Sequence, residues 1–283
     1  MHDLHRTFTW LCVCLLAALP LHSLAASGEQ EPPLGFDHAH ATWTKVLADF
    51  GRADGFDYRS LKKERKSIDE YLTLLLSVEV EDFETWTREQ RYAFWINAYN
   101  AYTVRLVVDH YPLKSIRDIG DEELGTWDRR FIPLQHLFPQ AKGKPLSLND
   151  VEHEILRKQF EDARVHAAVN CASRGCPPLA ASAFTPKGLD EQLDGVTRAW
   201  LADEERTRFD AEKGVAEVSE ILRWFEGDFV RDGKSVAGWL AKFAPEKHSA
   251  WLAKGPVTLR YLEYDWALND AGEKPKRVQK RDQ

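Results

Sequence analysis

The sequence contains few of the residues and motifs that mark several common classes of protein. Of its 283 residues only one is methionine, at position 1, and only four are cysteine. Basic residues are outnumbered, with 38 lysines and arginines against 45 aspartates and glutamates, so the net charge is -7. Sequence-independent nucleic-acid binding needs a basic surface, and we expect no nucleic-acid partner. The sequence has no phosphate-binding glycine loop, no G-x-S-x-G elbow and no H-E-x-x-H pair, and we expect no cofactor.

Long hydrophobic runs are also scarce, and the most prominent one lies near the start of the chain. An apolar run from Phe8 to Leu21 precedes small residues that end at Ala25 and Ala26. This run is shorter than the ~20 residues of a membrane-spanning helix, and its layout is typical of a secretory signal peptide. We therefore expect a signal peptide at 1–26 that is cleaved after Ala25 or Ala26. This predicts a periplasmic or secreted protein without a transmembrane segment after cleavage; a retained anchor is the alternative.

The rest of the chain has the composition of one folded domain. Hydrophobic residues make up 43% and charged residues 29% of the sequence, which places it outside the disordered class. Residues 27–35 end in Pro32, Pro33 and Gly35 and predict a linker. We expect a single domain over 36–269 and a disordered basic tail over 270–283.

Hydrophobic periodicity places several elements of this domain. Apolar residues at helical spacing predict a first helix, capped by Asp37 and ended by Gly51. Later helices are predicted over 219–230 and 235–243, and alternation over 257–269 predicts a strand.

The longest predicted helix is expected to be central. Thr87 and Gln90 have the spacing of a capping box, and Pro112 cannot continue a helix. The residues between them are apolar on nearly every face, which is typical of a buried helix. Asn97 and Asn100 share a face of this helix, and a buried amide needs partners. These two side chains either bond to neighbouring loops or line a site.

Two later segments carry titratable side chains. Residues 146–157, LSLNDVEHEILR, predict a helix that begins with a cap at Ser147 or Asn149. Glu152 and His153 in this helix are either ordinary partly exposed residues or part of a site.

A strand is predicted after this helix. Valine and alanine alternate with His166 and Asn170 over 165–170, which has the period of a strand. The sequence CASRGCPPL follows and predicts a loop that the two prolines end.

Four segments in chain order, FWINAYNAYTVRLVVDHYPLKSI, LSLNDVEHEILR, RVHAAVNCASRGCPPL and YLEYDWALN, resemble the family called domain of unknown function 547. The likeness extends from about residue 36 to residue 269, and the family has no established reaction. We expect a helix-rich α+β domain with a small, mostly antiparallel sheet. The resemblance implies a papain-like or transglutaminase-like core, with a nucleophile at a central helix and a histidine on the following strand. The matched positions of interest are Asn97, Asn100, Glu152, His153, His166, Asn170, Cys171, Ser173, Cys176 and Asp265.

The chain departs from that pattern at the nucleophile, because its central helix contains no cysteine. A thiol nucleophile would have to be Cys171 or Cys176, with His166 as the base. A straight strand at about 3.3 Å per residue would separate His166 from Cys171 by about 16 Å. A loop that reverses at Gly175 and the prolines would therefore favour Cys176.

Three interpretations of the cysteine loop compete, with plain packing as a fourth. A disulfide between Cys171 and Cys176 would brace the loop, with Asn170 and Ser173 as polar lining, as expected in an oxidising compartment. Alternatively, one cysteine is a reactive thiolate paired with His166. In the third interpretation, both thiolates and His166 bind zinc.

These residues predict a polar pocket that binds a peptide-like or amide-bearing small ligand. One alternative is a cysteine-dependent hydrolase or acyl transferase, in which the backbone near Ser173 stabilises the oxyanion. The other is a protein-interaction module, since the chain has 10 tryptophans. The identity of the ligand, turnover and the oligomeric state stay open. The ligand-binding residues are expected to be Asn97, Asn100, Asn170, Ser173, Glu152 and His153.

Overall fold

The computed structural model describes residues 35–53, 55–121 and 123–271. The predicted signal peptide, nearly all of the predicted linker and most of the predicted tail lie outside the described residues. The described part is helix-rich with small sheets, which confirms the α+β class. None of the helices within these ranges combines the length and the apolar character that crossing a membrane requires.

The elements of the described ranges follow one another in chain order. The α-helices are α1 (Ala41–Phe50), α2 (Tyr58–Lys63), α3 (Lys66–Leu76), α4 (Val80–Thr85), α5 (Arg88–His110), α6 (Arg157–Phe160), α7 (Val165–Ala168), α8 (Leu189–Ala202), α9 (Ile221–Trp224), α10 (Glu226–Gly233), α11 (Val236–Phe243) and α12 (Glu246–Lys254). The strands are β1 (Gly51–Arg52), β2 (Gly55–Phe56), β3 (Arg208–Asp210), β4 (Val215–Ser219) and β5 (Thr258–Leu262). Short 3-10 turns span Ile116–Ile119, Thr126–Asp128, Gln135–Leu137 and Pro139–Ala141, and a π-helix spans Asp150–Leu156 just before α6.

Helix α5 lies at the centre of the larger of two hydrophobic clusters. Its predicted capping box is confirmed: Thr87 Oγ1 accepts from the Gln90 N–H at 3.2 Å, and Gln90 Oε1 accepts from the Thr87 N–H at 2.7 Å. The helix ends at His110, two residues before Pro112. Its side chains are buried on nearly all faces from Tyr92 onward, so the prediction of a central helix is confirmed.

The other predicted helices are found with small shifts. The Asp37 carboxylate accepts from the Ala41 N–H at 2.9 Å, and α1 ends just before Gly51. Ser235 Oγ caps α11 at 2.9 Å from the Gly238 nitrogen. The single helix predicted over 219–230 is instead two helices, α9 and α10, which are interrupted at Phe225.

The larger sheet has three strands in the order β3-β4-β5. Strand β4 is antiparallel to β3 and parallel to β5, and β1 is antiparallel to β2. The predicted strand over 257–269 is regular only within β5. The following residues instead pair with the cysteine loop, where the Gly175 N–H donates to the Asp265 carbonyl at 2.9 Å.

The predicted strand over 165–170 is wrong, because Val165–Ala168 form the helical turn α7. Val165 and Ala168 pack in the larger hydrophobic cluster, whereas Ala167 packs in the second cluster. A segment buried on all sides carries apolar residues whatever its period, so alternation cannot separate strand from helix here. The turn α7 therefore lies at the boundary of the two clusters.

Candidate functional site

A cavity of about 170 Å³ lies where the two hydrophobic clusters meet, and side chains from both clusters line it. Five of the predicted site residues are in its wall, namely Glu152, His153, His166, Cys171 and Cys176. Much of the remaining wall is aromatic and consists of residues that the predicted site did not include. These residues are Tyr99, Trp127, Trp224, Phe225, Tyr264 and Trp266.

Cys171 is in contact with two hydroxyl groups. Its Sγ lies 3.1 Å from Ser173 Oγ and 3.1 Å from Tyr264 Oη, and these two oxygens are 2.9 Å apart. The Cys171 backbone N–H donates to Cys176 Sγ at 3.1 Å. The loop thus folds back on itself, so that both sulfur atoms are close together at the cavity wall.

The surroundings of the two thiols separate their pKa values. Interaction with the Cys176 thiol is the largest cause that lowers the pKa of Cys171, to about 7, and the Ser173 and Tyr264 hydroxyls add to it against the opposing effect of burial. Burial raises the pKa of the Cys176 thiol, and the neighbouring Cys171 raises it further. Cys171 is also the less buried of the two. The lower pKa and the greater exposure of Cys171 favour it as the more reactive thiol, whereas the sequence, with a loop that reverses at Gly175, was expected to favour Cys176.

Both cysteines are free thiols in the structure. The disulfide between Cys171 and Cys176 stays a prediction for the protein in an oxidising compartment. Within the described ranges, no three histidine, cysteine, aspartate or glutamate side chains lie together as metal ligands. The zinc interpretation of this loop has no supporting geometry there.

His166 forms a hydrogen bond with an ionised carboxylate. Its Nε2 lies 2.8 Å from Asp228 Oδ2, and Arg157 Nε donates to the same oxygen at 2.6 Å. Burial by itself raises the pKa of Asp228, but the hydrogen bonds from His166 and Arg157 outweigh burial and hold this pKa well below its usual range. An ionised carboxylate only accepts, so neutral His166 carries its proton on Nε2 and a lone pair on Nδ1. In the described part of the chain, no hydrogen bond joins His166 to either cysteine.

His153 has the same tautomer as His166, but its other ring nitrogen is the one that is hydrogen-bonded. Its Nδ1 lies 3.1 Å from Arg157 Nη1, and a guanidinium group only donates, so neutral His153 carries its proton on Nε2. The Phe225 ring stacks on His166 at 4.2 Å between centroids and lies 4.7 Å from the Arg157 guanidinium carbon. The cavity wall thus contains one imidazole that accepts a proton and one that carries an N–H donor.

Glu152 is a buried carboxylate that bonds to a tyrosine. It is 8% exposed, and the Tyr99 hydroxyl donates to its Oε2 at 2.9 Å. Burial and the charge of Glu152 raise the pKa of Tyr99 well above its ordinary value, so this hydroxyl stays protonated as a donor. Among the described residues, no lysine or arginine forms an ion pair with Glu152.

Asn97 and Asn100 do not line the cavity and instead hold backbone segments. Asn97 Nδ2 donates to the Phe184 carbonyl at 2.7 Å, and its Oδ1 accepts from the Phe184 N–H at 3.0 Å. Asn100 Nδ2 donates to the Ala168 carbonyl at 2.9 Å, and its Oδ1 accepts from the Asn170 N–H at 2.8 Å. Both amides thus match the interpretation in which they bond to neighbouring loops.

Asn170 shapes the cysteine loop and is likewise outside the cavity wall. Its Nδ2 donates to the Pro177 carbonyl at 2.8 Å, and its Oδ1 accepts from the Ala172 N–H at 2.8 Å. Ala172 has a left-handed φ of 61°, a conformation that non-glycine residues rarely adopt. At Gly175, an added Cβ would lie 3.0 Å from the Asp265 nitrogen, so a side chain here would force the neighbouring backbone to shift. Asp265, one of the matched positions, therefore contributes its backbone to the loop.

Asp228 and Tyr264 contact the candidate site but are not among the predicted site residues. Tyr264 belongs to the segment YLEYDWALN, in which only the neighbouring Asp265 was singled out. A single hydroxyl in a predicted strand has no distinctive pattern. Asp228 lies 62 positions from His166, and no local motif connects the two residues.

Comparison with known proteins supports the family prediction over part of the chain. Neither a curated protein nor a solved structure matches the chain. A family model matches residues 83–201. This region includes α5, the segment around Glu152 and the cysteine loop, but it ends before Asp228 and Tyr264. The family prediction is confirmed over residues 83–201, which match the model of the family described as "Protein of unknown function, DUF547".

Proposed function

We propose that the cavity is the active site of a cysteine-dependent hydrolase or acyl transferase, with Cys171 as its nucleophile. The observation that supports this proposal most directly is that the Cys171 thiol, whose pKa is lowered to about 7, lines the same cavity as His166. The Asp228 carboxylate holds His166 in the tautomer that leaves Nδ1 able to accept a proton. A nucleophile, a base and a residue that orients the base are the parts such catalysis needs.

The proposed reaction has two steps. In the first, the Cys171 thiol loses its proton to His166 Nδ1, and the sulfur attacks the acyl carbon of a peptide-like or amide-bearing substrate. The bond from that carbon to its amine or alcohol breaks, and the leaving group takes the proton from His166. In the second step, water or another acceptor gives a proton to His166 and attacks the thioester. The acyl product leaves, and the thiol of Cys171 is restored.

Contacts of the Ser173 backbone support its proposed role as an oxyanion donor. Its N–H interacts with the Cys171 sulfur and helps to lower the pKa of this thiol. A donor next to the attacking sulfur is close to the place where the oxyanion of the tetrahedral intermediate would form. The Tyr264 hydroxyl, 3.1 Å from the same sulfur, is a second donor there, because burial raises its pKa well above the ordinary value and it stays protonated.

Acylation by an activated ester tests the proposal. The reduced protein would be treated with p-nitrophenyl acetate at pH 7.5, and covalent acetylation would be followed by intact mass and peptide mapping. We expect one acetyl group on Cys171 in the wild type and in Cys176→Ser, and none on residue 171 in Cys171→Ser. Far-ultraviolet circular dichroism would verify that each variant is folded.

Two results would overturn the proposal. One is a wild-type protein that is folded and reduced but forms no cysteine adduct. The other is acetylation that maps to Cys176, because a thiol with a raised pKa would then be the nucleophile. A variant with only Cys171 serves as the matched control for a variant with only Cys176.

Binding without turnover is the second candidate, and the proximity of the two cysteines favours it. The Cys171 nitrogen lies 3.1 Å from Cys176 Sγ, and a disulfide between these residues would remove the nucleophile. Iodoacetamide treatment of protein from its native compartment, before and after reduction, separates the candidates. Two adducts that form only after reduction would support a binding site closed by a disulfide. An interaction module is the remaining alternative.

Export and the papain-like or transglutaminase-like core are further parts of the proposal. An exported protein would have a mass that corresponds to cleavage after Ala25 or Ala26. A core of that type is supported by the combination of a cysteine, a histidine and a carboxylate at one cavity. An experimental structure with an acylated Cys171 would test the arrangement directly.

A further inference from the structure

One side of the cavity is lined by aromatic rings whose faces take no part in the proposed acyl chemistry. Trp127, Trp224, Tyr264 and Trp266 form what we call the aromatic wall. Trp224 stacks on Trp266 at 5.7 Å, and Tyr264 lies 4.9 Å from Trp224 and 4.6 Å from Trp266 between ring centroids. Trp127 contacts Trp266 edge-on at 5.6 Å. Trp224 is 44% exposed, which is unusual in a chain whose other large aromatic rings are mostly buried.

A negative charge lines the same cavity. Glu152 is 8% exposed and accepts one hydrogen bond, from Tyr99. Buried charges in proteins are normally paired, because removing an ion from water is costly. Asp228, which lies next to the cavity, follows this rule through Arg157. No lysine or arginine of the described ranges pairs with Glu152, so its charge lacks a cationic partner.

We propose that the cavity binds its ligand through an alkylammonium group held between the aromatic wall and Glu152. The faces of tryptophan and tyrosine rings attract cations, and several rings around one cation are the usual protein site for such groups. One ring of this wall already interacts with a cation on its own surface, since the Arg117 guanidinium carbon lies 5.2 Å from Trp266. Arg117 does not line the cavity, so it does not occupy the position proposed for the ammonium group of the ligand.

The proposal names the substrate class of the site and rests on the proposed function in that respect. The ammonium group would belong to the acyl donor or to the acceptor. A cavity of about 170 Å³ accommodates a short alkylammonium chain. An anionic group is disfavoured there, because Glu152 would repel it.

Binding of matched cations and neutral molecules tests the proposal. Isothermal titration calorimetry of the reduced protein would compare choline with its uncharged isostere 3,3-dimethylbutan-1-ol, and n-butylammonium with butan-1-ol. We expect at least one cation to bind about 10-fold or more tightly than its neutral counterpart, from cation–π attraction and the charge of Glu152. The choline and n-butylammonium arms show whether a quaternary or a primary ammonium is preferred.

Two variants and a control locate the binding site. Glu152→Gln keeps an acceptor for the Tyr99 hydroxyl but removes the charge, and we expect it to abolish most of the preference for the cation. Trp224→Leu should weaken binding of the cation several-fold. Glu154→Gln is the matched control, because Glu154 is exposed and paired with Lys158, and it should leave binding unchanged. Equal binding of cation and neutral isostere, or a preference that survives Glu152→Gln, would overturn the proposal.

Repeating the titration with Cys171→Ser separates this proposal from the acyl chemistry. Cation binding that persists in this variant supports the alkylammonium site independently of the acyl chemistry proposed for Cys171 in the wild type. Acetylation of Cys171 without any preference for cations would leave the proposed function intact and reject this inference.

Discussion

Buried polar side chains in this protein fall into two regions with different hydrogen bonding. On α5, Asn97 and Asn100 use both the donor and the acceptor of their amides on neighbouring backbone. At the cavity, Glu152 accepts one hydrogen bond, and His166 keeps one ring nitrogen without a hydrogen-bonding partner among the described residues. Groups of the first kind are satisfied by the fold itself. Groups of the second kind have free capacity, which is the property expected of a site that receives a ligand.

The difference has consequences for stability. Removing an amide that satisfies buried backbone leaves that backbone unpaired, which costs about 1–3 kcal/mol for each group. Removing a buried charge that has no ionic partner costs little and can stabilise a protein. Substitution of the amides on α5 should therefore lower the stability of the fold. Substitution of the polar groups at the cavity should instead change ligand binding and the rate of acylation.

The largest expected effect is on catalysis. His166→Ala should lower the rate of acylation of Cys171 by an amide substrate about 100-fold, because the group that passes the proton to the leaving amine is lost. The rate would be measured as release of p-nitroaniline from an acyl p-nitroanilide under single-turnover conditions. His248→Ala, on α12 and away from the cavity, is the control and should have no effect. A wild-type rate in folded His166→Ala would remove His166 from the mechanism.

Asp228 is expected to act as a positioning residue through His166. Asp228→Asn replaces an acceptor with an amide that can donate to Nε2, which would move the proton of the ring to Nδ1 and block the base. We expect a loss of rate close to that of His166→Ala, together with a change in the pH dependence of acylation. A merely structural role would lower the amount of folded protein and leave the pH profile of the folded fraction unchanged.

The next effect concerns the satisfied amides. Asn97→Ala leaves the N–H and carbonyl of Phe184 unpaired and should lower the free energy of unfolding by about 3 kcal/mol. Glu152→Gln should change it by less than about 1 kcal/mol, because the Tyr99 hydroxyl keeps an acceptor. Urea denaturation followed by circular dichroism gives both values. Equal destabilisation by the two variants would remove the distinction between the regions.

Much of the fold was predictable where a local pattern determines the structure. The capping box of Thr87 and Gln90 depends on residues three positions apart, and Pro112 limits the helix by its own covalent structure. The segment of Val165–Ala168 was predicted incorrectly because its environment, buried on all sides, determines its shape. The amide of Asn100, which bonds at the end of this turn, is 68 residues away from the Ala168 carbonyl.

The site was predictable only in part for the same reason. Residues with distinctive chemistry on matched segments, such as Glu152, His153 and Cys171, could be selected from the sequence. Tyr264, which contacts Cys171, and Asp228, which bonds to His166, come from distant parts of the chain, and only the folded structure brings them into contact. The proposal of Cys171 rather than Cys176 likewise rests on contacts within the folded loop, which a strand spacing could not give.

The pH dependence of alkylation is expected to distinguish the two cysteines, because the pKa of Cys171 is lowered and that of Cys176 is raised. With the pKa of Cys171 lowered to about 7, its thiolate fraction rises as the pH increases through 7, so the rate of iodoacetamide labelling should rise over this range and level off above about pH 8. In denaturant, the same rise should occur near the ordinary cysteine pKa, about 8.5. Rates per site would be measured by mass spectrometry of the reduced protein. A folded-state midpoint at the ordinary value would contradict the proposed activation of Cys171.

The smallest expected effect concerns one hydroxyl. Ser173→Ala removes an oxygen that lies 3.1 Å from the Cys171 sulfur but leaves the Ser173 backbone N–H and the Tyr264 hydroxyl in place. Because one of several groups that stabilise the thiolate is lost, the pKa of Cys171 should rise by less than about one unit, and labelling at pH 7 should slow a few-fold. Ser182→Ala, in an exposed loop, is the control. An unchanged midpoint would mean that Ser173 Oγ donates to Tyr264, 2.9 Å away, and that of the two hydroxyls only that of Tyr264 donates to the sulfur. In that case Tyr264→Phe should produce the larger shift, so the two variants together show which hydroxyl donates to the sulfur.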